Sequence, residues 1–269
     1  MNKSVIDLAL ENNFQAKVSF LPAMCPTMTV DYFAGGVCSV NSTFASDTFN
    51  VVAARNLNTE IDIREAGSII SAFNIGNLPF SWWVGPNSAT YGLDELLNFC
   101  GLEHVETELG MAAAASDIDS EISSFPENFK ISTVNSIAAF EDYGNVLASV
   151  FNPFDVDAVM FYKTVAGFYK ANSPLKMFVC YVDEEPVAIS SCINSDGIGG
   201  VYDIVTKPSF QKRGLGTIMT KVAVRHLKLE GCNVIGMQAS KDGIGIYKRL
   251  GFMTFGEFRV YSNKVLLNL

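Results

Sequence analysis

The sequence predicts an α/β protein of two domains, and three observations carry that prediction. Strand-like apolar runs alternate with helix-like stretches from residue 130 to residue 261. Between them, a glycine-bearing turn, Gln211-Lys212-Arg213-Gly214-Leu215-Gly216-Thr217, follows the apolar run Val201-Tyr202-Asp203-Ile204-Val205. It precedes a stretch in which Ile218, Met219, Val222 and Ala223 fall on one helical face. Finally, 269 residues are many for one domain and comfortable for two, and 49% of them are hydrophobic, enough for a sizeable core.

In chain order, residues 4–13 read as an amphipathic helix capped by Ser4, and residues 49–54 as a strand. Residues 59–75, with Ile61, Ile63, Ala66, Ile69 and Ile70, suggest a helix. Pro79-Phe80-Ser81-Trp82-Trp83-Val84-Gly85-Pro86 is a short aromatic strand between prolines. Residues 94–100 look helical, with Gly101 as the stop. Trp82 and Trp83 are the only tryptophans, and two readings stand. They could wall an acceptor pocket between the halves, or, as strand neighbours on opposite faces, serve one as core and one as cover.

Residues 115–127, rich in Ser, Asp and Glu, read as a linker or as the first exposed turn of the second domain. Lys130-Ile131-Ser132-Thr133-Val134 opens the second domain as a strand, and residues 136–150 and 155–169 are two helices separated at Asn152-Pro153. Two strands follow at residues 177–182 and 186–193, joined by the turn Asp183-Glu184-Glu185. The turn Asn194-Ser195-Asp196-Gly197 leads into a central strand ending at Thr206. Leu215–Leu229 is a helix stopped by Gly231, and residues 233–239 are the next strand. A helix bearing Tyr247 and a last strand over 253–261 complete the domain, with Val265-Leu266-Leu267 extending the sheet.

Composition narrows the function classes. No apolar run approaches the ~18 residues of a membrane helix, and Asp7 and Glu11 interrupt any signal-peptide pattern, so a cytoplasmic protein with no membrane partner is expected. Six cysteines (Cys25, Cys38, Cys100, Cys180, Cys192, Cys232) without a Cys-x-x-Cys pair, and two distant histidines, His104 and His226, argue against a zinc site or a disulfide framework. His226 reads as a packed structural residue. The formal charge of −9 is uneven: before Pro126 stand 4 basic and 15 acidic residues, afterwards 15 and 13. Nine of the basic residues fall between Lys207 and Arg249 against only Glu230 and Asp242, which suits a ligand with several phosphates. The acidic first half argues against nucleic acid and is compatible with a cationic acceptor or with a merely solvated surface.

The strand, glycine turn and helix start together form an anion site. The first helical N–H groups lack intrahelical partners and the helix dipole is positive there, while Gly214 and Gly216 let backbone approach a phosphate. An ordinary tight turn would also use these glycines. A dinucleotide fingerprint would need a third glycine, and a P-loop a Gly-Lys-Ser/Thr, and neither is present; Gly243-Ile244-Gly245 is a flexible joint. The pattern Gln211-x-x-Gly214-x-Gly216 after Ile204-Val205-Thr206-Lys207-Pro208 resembles the acyl-CoA loop of the GNAT N-acetyltransferase superfamily. Ala239-Ser240 and Ile246-Tyr247-Lys248-Arg249-Leu250-Gly251-Phe252 resemble that family's second signature, at the expected distance. The resemblance spans residues 129–261. It implies a mixed α+β sheet in a GNAT-like acyltransferase domain at 126–269, and the strand–helix alternation of 1–125 resembles a smaller, degenerate GNAT-like domain.

The resemblance also implies a chemistry, acetyl transfer from acetyl-CoA (coenzyme A) to an amine with no metal. Backbone groups of Ile204, Val205 and Thr206 would hold the pantetheine arm and thioester. The N–H groups of Lys212, Arg213, Gly214, Leu215, Gly216 and Thr217 would cradle the pyrophosphate, Gln211 would belong to the same cofactor-binding loop, and Ser240 would bond the cofactor. Tyr247 stands where relatives carry a tyrosine that protonates the leaving thiolate; a phenol with a pKa near ~10 can donate at neutral pH. An aromatic core residue would fit the same helix. Ile235 occupies the position where some relatives place a glutamate base. Asp203 and Tyr202, on opposite faces by alternation, are other candidates, as is a base acting through water. An acyl-CoA-binding regulatory protein without turnover is the competing class. The acceptor, a small-molecule amine or a peptide, the acyl chain length and a homodimeric state are left open.

Overall fold

The computed structural model describes residues 2–33, 36–54, 63–88, 93–122, 128–195 and 197–269. Its contacts gather into two units, Met1–Gly110 with Gln238–Lys241 and Thr254–Leu269, and Met111–Met237 with Asp242–Met253. The expected boundary at 125/126 falls in residues 123–127, outside the described residues, as do Asp196 of the predicted turn and residues 59–62 of the predicted helix.

The first unit begins with α1 (Lys3–Met24), followed by β1 (Thr29–Tyr32), β2 (Val37–Asn41), β3 (Val51–Ala54), α2 (Ile63–Ile75), β4 (Ser81–Val84), α3 (Leu93–Phe99) and the long β5 (Glu103–Ala114). A last strand, β11 (Met253–Ser262), joins it from the end of the chain, in the order β1-β2-β3-β4-β11-β5. β1 with β2, β2 with β3 and β4 with β11 pair antiparallel, and β3 with β4 pairs parallel. The predicted helix over 4–13 runs much further and starts earlier, with Asn2, not Ser4, capping it by accepting from the Ser4 N–H at 3.1 Å. Its buried face is partly polar. The Glu11 carboxylate accepts from the Asn87 and Ser88 N–H groups at 2.8 and 3.1 Å, and Gln15 donates to the Gly36 and Ala53 carbonyls at 2.8 and 3.1 Å. Burying such groups costs little only because they are hydrogen-bonded.

Above the sheet, Ala66, Ile69, Ile70 and Phe73 of α2 recur at helical spacing and pack with Val52, Phe80, Trp82 and Leu97 in one core. The alternation reading of the tryptophans holds: Trp82 is fully buried in that core, and Trp83 is half-buried against Phe14 of α1, ring centroids 4.5 Å apart. The expected sheet extension at Val265-Leu266-Leu267 is a 3-10 turn, Lys264–Leu267. The β4–β11 ladder ends at Ser81↔Ser262, and the next N–H, that of Phe80, donates to the Asn263 side chain at 2.8 Å. The side chain takes the place of the backbone acceptor, so the strand stops.

Glu108 of β5 is half-buried, and burial first, then the neighbouring Glu106 charge, push its carboxyl up to about 7. Between the unfolded carboxyl value of about 4.3 and this raised value, the folded chain binds a proton that the unfolded chain has lost. Stability from this group is therefore full at acid pH and declines as pH rises through that window. Glu108→Gln is expected to melt about 3–6 °C above wild type at pH 8 and by much less at pH 5. Thermal unfolding at the two pH values checks this, and an equal difference at both would refute it.

The second unit contains β6 (Phe129–Thr133), α4 (Ile137–Ala148), α5 (Val156–Ala166), β7 (Leu175–Val182), β8 (Glu185–Ser195), β9 (Ile198–Thr206), α6 (Leu215–Leu229), β10 (Val234–Ala239) and α7 (Ile244–Arg249). The two helices after β6 begin where sequence places them: Ser136 accepts from the Ala139 N–H at 3.2 Å and Asp155 from the Ala158 N–H at 3.1 Å. The strand order is β10-β9-β8-β7-β6, antiparallel from β6 through β9 and parallel between β9 and β10. On α6, Leu215, Met219, Ala223, Val224 and Leu227 are buried. His226 packs its ring against Phe178 at 5.7 Å with Nε2 3.0 Å from the Glu230 carboxylate, the packed role its position suggests.

Candidate active site

Every feature of the candidate site in the second unit follows from how β9 ends. Its parallel ladder with β10 pairs Ile198↔Val234, Gly199↔Ile235 and Gly200↔Gly236 and goes no further, although β9 continues to Thr206. On the opposite side the antiparallel ladder with β8 reaches Thr206↔Ala188. Ile204, Val205 and Thr206 thus have one paired edge, while on the other no strand partner stands among the described residues. An unpaired strand edge can accept an extended ligand by backbone hydrogen bonds.

Beyond Thr206 the chain makes a 3-10 turn, Pro208–Phe210, and then the glycine loop. Lys212 (φ 61°) and Gly214 (φ 82°) are left-handed, and Gly214 is the N-cap of α6. Glycine takes that conformation without the Cβ strain any other residue would meet. The backbone bonds entering the turn are Phe210 N–H to Lys207 O, Gln211 N–H to Pro208 O and Ile218 N–H to Gly214 O. No N–H of Lys212, Arg213, Gly214, Leu215, Gly216 or Thr217 donates to protein among the described residues. They surround the positive end of a 15-residue helix. Gln211 Nε2 donates to the Thr206 carbonyl at 3.3 Å, tying the loop to the strand end. Arg213 lies over the Phe210 ring at 4.9 Å and donates to Ser209 O at 3.1 Å, and Lys212 is exposed.

Loop, strand and α7 converge at Gly216. A Cβ built there would stand 3.3 Å from Ile246 Cδ1 and 3.9 Å from Ile204 Cγ2. Next to Ile246, Tyr247 is buried, with its ring edge against Phe252 at 6.2 Å and its phenol oxygen 3.1 Å from where a Cβ on Gly243 would be. Ser240 is half-buried in the segment Gln238–Lys241, which groups with the first unit. Of the basic residues expected around the loop, Lys207 pairs with Glu185 at 3.0 Å and Lys221 with Asp119 at 2.7 Å, so these two are engaged by protein carboxylates.

A cluster that sequence reasoning missed lies at Asp203. This half-buried residue has φ 53°, and the β8–β9 register shifts beside it. The strict alternation expected of Tyr202 and Asp203 therefore breaks there. The Asp203 carboxylate accepts from Ser191 Oγ at 2.7 Å and from Tyr143 OH at 3.0 Å. Tyr162 packs on Tyr143 with ring centroids 4.7 Å apart. The two helices that carry these rings touch at Gly144, where a Cβ would come within 3.0 Å of the Val159 Cα. Burial first and the Asp203 charge second push the phenols of Tyr143, Tyr162 and Tyr202 well above their ordinary value. They stay protonated, able to donate. Ile235, at the position of the relatives' glutamate, is fully buried and apolar. Nothing local could have revealed the cluster, because its residues come from α4, α5, β8 and β9.

Residues 140–252, which hold the open strand edge, the loop and Tyr247, match the Acetyltransferase (GNAT) family. That region is similar to GNAT acetyltransferases. The chain is 36% identical over 62 residues to mycothiol acetyltransferase from Streptomyces avermitilis, a match covering 22% of this chain and 20% of that enzyme's own length. In fold it is similar to a GCN5-related N-acetyltransferase from Kribbella flavida, with a TM-score of 0.66 and 18% identity over 95% of this chain and 94% of that one. It is also similar to a tandem GNAT protein from the clavulanic acid biosynthesis pathway, with a TM-score of 0.59 and 8% identity over 88% and 83% of the two chains. These two likenesses show the fold, a mixed α/β architecture that extends through the N-terminal half of this chain. No described helix is long and apolar enough to cross a membrane. GNAT members use acetyl-CoA, and the open edge of β9 and the uncommitted N–H groups of the loop fit its pantetheine arm and pyrophosphate.

Proposed function

We propose that the chain is an acetyl-CoA-dependent N-acetyltransferase that moves an acetyl group to a primary amine by direct attack on the thioester. The observation that carries this reading is the edge of Ile204, Val205 and Thr206, without a strand partner on the β10 side among the described residues, running into a loop where the N–H groups of residues 212–217 have no acceptor among those residues. In the proposed reaction the amine nitrogen forms a bond to the thioester carbonyl carbon and the C–S bond breaks. Backbone donors on the open edge stabilise the oxyanion, the amine's proton passes to a base, and Tyr247 gives its phenolic proton to the departing thiolate. The loop N–H groups and Lys212 hold the phosphates. A small-molecule amine or a peptide is the acceptor, a class in keeping with the acidic first half; nucleic acid is not, since phosphate contacts dominate such binding.

The second reading, an acyl-CoA-binding regulator without turnover, draws on the buried apolar Ile235 where relatives place a base. One experiment separates the two. Thiol release from acetyl-CoA is followed with a pooled library of primary amines, alongside calorimetric binding of acetyl-CoA. Amine-dependent release supports the transferase, and binding without release supports the regulator. A chain that does neither would overturn both.

A further inference from the structure

We propose that Asp203 is a positioning residue: held by Tyr143 and Ser191, its carboxylate fixes the bulge that turns Ile204, Val205 and Thr206 away from β10 and so keeps the acyl-CoA edge open. The proposal rests on the acyl-CoA reading of that edge. It begins with the backbone. A non-glycine residue at φ 53° is strained, and asparagine and aspartate tolerate the region better than other residues. Such a conformation persists where the surroundings enforce it.

The ladder shows what the strain accomplishes. From Ile189↔Val205 to Ser191↔Tyr202, β8 advances two residues while β9 spans three, so β9 carries one extra residue at Asp203. A bulge of this kind bends its strand. The parallel ladder with β10 ends three positions earlier, at Gly200↔Gly236. The bulge therefore lies just past the point where pairing with β10 is lost, where a regular strand would be placed to resume it.

Two anchors reach the bulge from different layers. Ser191 comes from β8, directly across the ladder, and Tyr143 from α4 in the helical layer; both are fully buried and both donate to the same carboxylate oxygen. Tyr162 backs Tyr143 from α5. The phenols remain protonated donors through the physiological range, so the anchor does not lapse with pH. With the two anchors removed, the carboxylate loses its hold on the helical layer and on β8, and the edge that receives the pantetheine arm loses its shape.

The test measures binding to the full chain of acetyl-CoA and of adenosine 3′,5′-diphosphate, which has no pantetheine arm. Asp203→Asn keeps an acceptor oxygen and tolerates the same φ, so its acetyl-CoA Kd is expected within about threefold of wild type. Asp203→Gly takes the φ but loses the lock, and a weakening of about tenfold or more is expected. The double variant Tyr143→Phe/Ser191→Ala, which leaves the carboxylate in place, is expected to weaken likewise. All should bind the nucleotide as wild type does and show a cooperative thermal transition without ligand. Wild-type acetyl-CoA affinity in both lock-breaking variants would overturn the proposal. So would an Asp203→Asn as weak as Asp203→Gly, which makes charge the cause, or a matching loss of nucleotide affinity, which makes the effect general damage. A wild type that binds no acetyl-CoA would instead defeat the acyl-CoA reading, and the proposal with it.

Discussion

Tyr247→Phe is expected to lower the kcat of amine-dependent thiol release on the order of a hundredfold while the acetyl-CoA Kd stays within a few-fold of wild type. The substitution removes one hydroxyl from a buried ring that keeps its contact with Phe252, so packing is retained and the proton donor is lost. The thiolate must then leave unprotonated or take a proton from water. Because the hydroxyl matters only as the C–S bond breaks, the effect belongs in kcat and not in ground-state binding. Stopped-assay thiol detection and calorimetry on the same preparation measure the two quantities. An unchanged kcat would return Tyr247 to the role of a core aromatic.

The largest effect on binding is expected from Gly214→Val, roughly a hundredfold loss of acetyl-CoA affinity. Space is not the obstacle, since a Cβ at Gly214 meets nothing within 4 Å. Conformation is: φ 82° is natural for glycine, and a β-branched residue there costs ~1–2 kcal/mol or forces the turn to rearrange. Rearrangement misaligns the N–H groups of residues 212–217, each worth about 1.5–3 kcal/mol when it meets a charged oxygen. Gly214→Asn, which enters the left-handed region more readily, is expected to lose far less. Calorimetric titration decides, and a Gly214→Val that binds within threefold of wild type would remove the loop from the phosphate site.

Both predictions concern segments that were legible as sequence, and the reason is that each is local. A glycine loop after a strand and before an amphipathic helix announces itself within twenty residues, and α6 runs over Leu215–Leu229 as its apolar spacing indicates. The caps Ser136 and Asp155 work the same way, through neighbours three residues on. Legibility fails where local pattern and burial disagree. Helix α1 extends to Met24 behind buried Glu11, Gln15 and Ser19, which blur the hydrophobic period; Glu11 and Gln15 find partners far along the chain, and Ser19 donates back to the Gln15 carbonyl. Strand β5 begins with Glu103, Glu106 and Glu108, residues of poor strand propensity that a paired edge overrides.

By itself, then, the sequence determined the likeness of residues 140–252 to GNAT acetyltransferases, the glycine loop, the helix that carries Tyr247 and the run of helices and strands around them, because short-range spacing and backbone chemistry suffice for each. Tertiary structure alone decided the rest. That β9 leaves β10 after Gly200, that Asp203 is pinned from two layers, and that Thr254–Leu269 returns to the first unit all depend on groups far apart in the chain. A sequence records which residues carry hydroxyls and carboxylates. Only packing brings Tyr143 within 3.0 Å of Asp203, sixty positions away, and that distance is what holds the bulged strand beside an edge open to a ligand.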